Sequence, residues 1–171
     1  MTWTVAEGRR GRRWREAVRK RDDAGIRHSL LLEMDPDGRF AHLELSTADG
    51  LLTLHPEGDG TLHGNRVTSH GVEHVRGIAW DPGAIVLVDG SPVSRFAAVP
   101  GLSGRIEPGG MGSVLVLRIP KDLALLGGVE EVRRGDERRW TFAGPETYVL
   151  DDDGVLASAP STAEWALEEP S

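Results

Sequence analysis

The sequence predicts a mainly β chain: a strongly bent antiparallel sheet forming a half-barrel or open barrel, with one or two short helices. Two observations carry this expectation. Short runs of alternating apolar and polar residues recur along most of the 171 residues. Most of the 22 glycines and 10 prolines fall between those runs, at plausible turn positions. Such punctuation suits many strands in one β domain.

The N-terminal part, residues 1–25, reads as a basic arm or a first strand. Trp3 and Val5 fit a short strand over Met1–Gly8. Over Gly8–Asp23 the spacing of Trp14, Ala17 and Val18 fits either a strand or a frayed helix, because Gly8 and Gly11 disfavour a long helix. Ile26–Met34 alternates clearly: Ile26, His28, Leu30, Leu32 and Met34 share one face. Asp35-Pro36-Asp37-Gly38 is a turn, and Arg39–Ser46 completes a hairpin. Leu51–His55 and Thr61–Val67 follow as strands, separated by Pro56–Gly60.

Leu62–Ala98 is the most informative stretch. In Val72–Trp80, alternation places Val72, His74, Arg76, Ile78 and Trp80 on one face. Cationic and aromatic groups on an otherwise apolar face suit the lining of a ligand cavity. The structural reading beside it is an edge strand with the Arg76 head in water. Asp81-Pro82-Gly83 turns the chain, Ala84–Val88 reads as a buried strand, and Val93–Val99 as a further strand of a meander. Val114–Ile119 is a strand, Pro120–Leu126 a short helix closed by Gly127-Gly128. Val129–Arg134, Arg138–Ala143 and Thr147–Leu150 are later strands, and these complete a half-barrel domain over residues 26–158. Residues 159–171 form an acidic tail or short helix, with Ser161-Thr162 and Glu164 as a capping pattern.

Composition excludes several classes. Cysteine is absent, so there is no disulfide and no thiolate chemistry, which suits a cytoplasmic protein. No apolar run is long enough for a transmembrane helix, and the basic N-terminus lacks the apolar segment of a signal peptide. The net charge is −7, yet residues 9–21 carry eight basic side chains opposed only by Glu16. That arm could meet an anionic partner, or it could lie on the acidic body of its own chain. The second reading is favoured because no set of base-stacking aromatics accompanies the arm; no nucleic acid partner is expected.

Chemical motifs are sparse. His70 and His74 have helical metal-ligand spacing, but Gly71 and the neighbouring valines favour a strand, on which they sit about 13 Å apart, so no metal is expected. Glu73 and His74 point to opposite faces and cannot relay a proton. Pro108–Gly112 resembles a phosphate-cradling loop, but a strand follows it where a helix N-terminus is needed. Asp151–Gly154 lacks the alternating ligands of a calcium loop. No nucleophile elbow is present. No cofactor is expected. The candidate ligand-binding set is therefore His63, Asn65, His74, Arg76 and Trp80. Arg76 could clamp an anionic head group and Trp80 could stack on a flat ligand or fill core.

The order of elements adds a family. The strand–turn–strand LLLEMDPDGRFAHLELSTADG, the polar stretch LHPEGDGTLHGN, the segment GVEHVRGIAW leading to GSPVSRFA, and the terminal WTFAGPETYVLDDDGVLA resemble the glycolipid-binding family of small bacterial proteins. The resemblance spans about residues 26–158. It implies a curved antiparallel sheet around an apolar cavity, similar to lipoprotein-carrier half-barrels, and transfers no catalytic residue. The leading expectation is thus a non-catalytic protein that binds an apolar or amphipathic, lipid-like small molecule, with a homodimer as a possible assembly. The alternative is a small barrel enzyme, a cyclase, isomerase or hydrolase, using His74 and a carboxylate from a facing strand as acid and base. A third reading is an interaction protein using the basic arm or a sheet edge.

Overall fold

The computed structural model describes residues 1–19, 26–142, 147–151 and 154–158. The chain is mainly β, built from two sheets and two short helices on one continuous hydrophobic core. The first sheet is an antiparallel meander of seven strands in chain order. These are β1 (Thr2–Gly8), β2 (Gly11–Arg19), β3 (Ile26–Met34), β4 (Phe40–Thr47), β5 (Gly50–Pro56), β6 (Thr61–Thr68) and β7 (Gly71–Ala79). The N-terminal residues are therefore two full strands, and Gly8–Arg19 contains no helix.

Alternation decides the core face of this sheet. Trp14, Leu30, Leu32, Leu43, Leu45, Leu52, Leu54 and Leu62 are all buried and face inward together. The turns follow their side chains. Asp35 Oδ1 accepts hydrogen bonds from the amides of Asp37 and Arg39, at 2.9 and 2.8 Å, and Gly38 takes φ 75°. Gly38 also lies backbone to backbone against Gly101, which leaves room for no Cβ at either position.

The expected meander stops at β7. The chain leaves the first sheet through Asp81-Pro82-Gly83, and β8 (Ile85–Val88) enters a second sheet. There it pairs in parallel with β9 (Met111–Ile119), followed by β10 (Leu126–Arg134), β11 (Arg139–Phe142), β12 (Thr147–Leu150) and β13 (Leu156–Ser158). All four residues of β8 are buried, as a strand covered on both faces requires. Arg118 of β9 ties this sheet laterally, bonding Asp89 at 2.9 Å and Glu130.

Two local expectations are corrected. Val93–Val99 is not a strand: it forms α1 (Val93–Ala97) and the start of α2 (Val99–Ser103). Pro92 presets a helical φ of −68°, and the Ser91 hydroxyl accepts the amide of Ser94, so the chain coils where an extended run was expected. Pro120–Leu126 is not a helix either. Asp122 caps the amide of Ala124, Leu123 adopts φ 62°, and Leu126 already opens β10. The helix expected within residues 159–171 lies outside the described residues.

Candidate functional site

The five residues expected to bind a ligand do not share one face. A register shift between Leu62 and Gly64 marks a bulge in β7, where Arg76 and Gly77 lie opposite the single residue His63, and Gly77 takes φ 69°. The bulge inverts the alternation of β7. Val75 and Ile78 turn inward, while Val72 and His74 turn outward; Val72 is 62% exposed. Trp80 ends on the core side, its ring 5.4 Å from that of Phe40. His63 and Asn65 do share the outer face of β6, opposite His55 and Thr53. Asn65 and His74 are cross-strand partners, joined through Oδ1 and Nδ1 at 2.7 Å. The structure thus brings together His63, Asn65 and His74 on the outer surface, places Arg76 exposed at the bulge, and sets Trp80 apart on the core. β7 is an edge strand. The group facing His74 is an amide, not the carboxylate that acid–base catalysis needs.

A different cluster stands out under α1. On β2, Trp14 and Glu16 point inward between outward-facing Arg13 and Arg15. On β3, His28 begins the inward series that continues with Leu30 and Leu32. Glu16 is 3% exposed and His28 is 8% exposed, in a core of mostly apolar side chains. The hydroxyl of buried Ser91, just ahead of α1, donates to Glu16 Oε2. Ser91 in turn belongs to a small hydroxyl web. Ser94 Oγ donates to the Ser91 carbonyl at 2.9 Å and accepts the Val88 amide at 3.0 Å.

This web leaves three atoms unmatched. Glu16 Oε1 lies 3.7 Å from His28 Nε2, beyond hydrogen-bond reach. Both of those atoms, and Trp14 Nε1, are buried and have no hydrogen-bond partner among the described residues. An aromatic group completes the surroundings. The Phe96 ring of α1 stands edge-on to Trp14 at 5.0 Å, and 5.5 Å from Trp3. Buried polar atoms without hydrogen bonds cost about 1–3 kcal/mol each, so three on two neighbouring strands call for a reason beyond stability.

The arrangement cannot act as a nucleophile relay. His28 faces Glu16 Oε1 while the Ser91 hydroxyl donates its hydrogen bond to Oε2, so no imidazole is placed to take the serine proton. It can hold a polar group: Glu16 Oε1 accepts, Trp14 Nε1 donates, and His28 Nε2 does either according to tautomer. An open groove of about 380 Å³ also lies over β1–β5, with Thr4, Arg15, Ser29, Glu44 and Ser46 in its lining. Among the described residues, no three His, Asp or Glu side chains are placed to hold a metal ion.

Sequence reasoning missed this cluster. Glu16 sits among arginines and reads as a solvated charge. His28, however, shares its face with Leu30, Leu32 and Met34, and that periodicity marked it as an inward polar residue.

Among the described residues, no helix is long and apolar enough to cross a membrane. No family model matches the chain, and no curated protein does. In structure it is similar to the crystal structure of a DUF1089 family protein from Pseudomonas aeruginosa. The TM-score is 0.67 and the identity 14%, over 96% of this chain and 91% of that one. The likeness shows a shared fold over nearly the whole chain.

Proposed function

We propose that this protein is a non-catalytic binder of an amphipathic, lipid-like small molecule. The ligand is held between the apolar face of the first sheet and the α1–α2 segment. One observation carries the reading: Glu16 Oε1 and His28 Nε2 are buried side by side, 3.7 Å apart, with no hydrogen bond to either, and the buried indole N–H of Trp14, two residues along β2 from Glu16, has no acceptor. A few convergent polar atoms on apolar walls are what an amphipath's head and tail need. The cover is short: α1 has five residues, and it meets the polar groups through Phe96 on Trp14 and the Ser91–Glu16 bond. Membership of the glycolipid-binding family is part of this proposal and rests on the order of elements in the sequence.

The test is native mass spectrometry of freshly purified protein, followed by organic extraction. The expected result is a retained amphipath that is reduced or lost in Glu16→Met. An apoprotein that also takes up no long-chain amphipath when offered one would refute the proposal.

A further inference from the structure

We propose that the β1–β2 hairpin is a docking surface for an anionic phospholipid bilayer. The hairpin carries Arg9, Arg10, Arg12, Arg13, Arg15 and Arg19 against only Glu7 and Glu16, in a chain whose net charge is −7. Glu16 is buried and offers nothing at the surface.

Geometry separates the two readings of this basic stretch. If the arm lay on its own acidic body, its arginines would be paired there. Arg12 bonds Glu7 of the same hairpin at 3.0 Å, and Arg13 bonds Glu33 of the adjacent strand at 2.6 Å. Arg9, Arg10, Arg15 and Arg19 are exposed and have no carboxylate partner among the described residues. Four cations are thus left to solvent along one edge of the molecule.

Their layout fits a plane. Arg9 and Arg10 occupy the turn; Arg13 and Arg15 project from the outer face of β2; Arg19 ends the strand. Eight residue steps of strand span about 26 Å. The outward residues of β1 beside them are Thr2, Thr4 and Ala6, which are too small to hold a flat surface away. A straight basic strip at a sheet edge, with the remaining chain strongly acidic, orients that edge toward a negative plane. Single-stranded nucleic acid is the poorer fit. The hairpin's aromatics, Trp3 and Trp14, are engaged with Phe96, so bases find no stacking platform there.

This inference does not depend on the buried cluster, and its test uses no internal ligand. The intact protein is sedimented with vesicles of phosphatidylcholine alone and with vesicles containing about 30% phosphatidylglycerol, at low and high salt. Binding is expected only on the anionic vesicles at low salt. Each arginine near such a surface strengthens partitioning about fivefold. The Arg9→Ser/Arg10→Ser variant should therefore bind about 25-fold more weakly, and the variant that adds Arg15→Ser and Arg19→Ser several hundredfold more weakly. Arg139→Ser, on β11, should change nothing. Both hairpin variants are checked for an unchanged melting transition, and the turn-only pair keeps the test valid if the fourfold variant does not fold. Equal binding to neutral vesicles, no binding to anionic ones, or anionic binding that survives the substitutions would overturn the proposal. So would displacement from the vesicles by a short single-stranded oligonucleotide at equal charge concentration.

Discussion

Ser91→Ala, made in two backgrounds, isolates the energetic role of the buried cluster. In the native background it removes the donor to Glu16 Oε2, leaving a carboxyl group that is 3% exposed with no hydrogen bond to either oxygen and only the His28 ring 3.7 Å away. It also removes the oxygen that accepts the Ser94 amide. An unsatisfied buried group costs about 1–3 kcal/mol, and a lost neutral hydrogen bond about 1 kcal/mol. The native-background loss is then about 2–4 kcal/mol. In Glu16→Met the carboxyl group is gone, so only the Ser94 contribution remains, about 1 kcal/mol. The difference is a coupling of about 1–3 kcal/mol. For a domain of this size it separates the two melting shifts by about 2–12 °C. The assay is thermal and urea unfolding of all four proteins after organic extraction, so that no retained ligand contributes. Glu16→Met alone should be neutral or stabilising, because an apolar side chain replaces a poorly matched polar one. Equal Ser91→Ala costs in both backgrounds would refute the reasoning and leave Ser91 as a purely local turn residue.

Three further outcomes follow from the geometry. Phe96→Ala should cost about 3–5 kcal/mol by denaturant unfolding, since a fully buried ring that packs on Trp14 and Trp3 leaves a cavity under α1. Gly64→Ala should cost about 3 kcal/mol, because any Cβ there collides with the Thr53 carbonyl of the paired strand; an unfolding curve matching the native one would contradict the β5–β6 register. Asp59, held below its ordinary pKa of 3.8 chiefly by the hydrogen bond from the Thr61 hydroxyl, should return toward that value in Thr61→Val when titrated by carboxyl NMR. Because the folded value is depressed, its contribution to stability is present above pH 3.8 and fades as the pH falls through the lower folded value.

Much of the first sheet was legible in the sequence because one physical rule governs it. A strand with one buried face must alternate, and Ile26–Met34 and Leu43–Thr47 do so on either side of Asp35-Pro36-Asp37-Gly38, while a register shift past Ala41 turns Phe40 inward as well. β8 was legible for the complementary reason: a strand covered on both faces is apolar throughout. Two things hid the rest. The bulge at Gly77 shifts the phase of β7, so alternation counted across it assigned Ile78 and Trp80 to the face of His74. Apolar runs without period, such as Val93–Val99, fit a strand or a helix equally, and the hydroxyl web of Ser91 and Ser94 decided for the helix.

The cluster at Glu16 was hidden by its neighbours in the chain. Gly8–Arg19 was readable as strand or helix, and only the strand puts Trp14 and Glu16 together, opposite Arg13 and Arg15. Ser91 joins Glu16 across a sequence gap that no periodicity spans. Tertiary contact alone makes three ordinary residues into one polar patch in an apolar interior.

The most direct measurement is a two-dimensional ¹H–¹⁵N NMR spectrum, recorded as a long-chain single-headed amphipath is added to the extracted protein. Each tryptophan reports through its own indole N–H. The Trp14 indole signal and the His28 ring signals should shift together and saturably, while Trp140, which lies in the other sheet beside Arg134, stays unchanged. Shifts confined to His63, Asn65 and His74 on the outer face, or none at all, would contradict the proposed function.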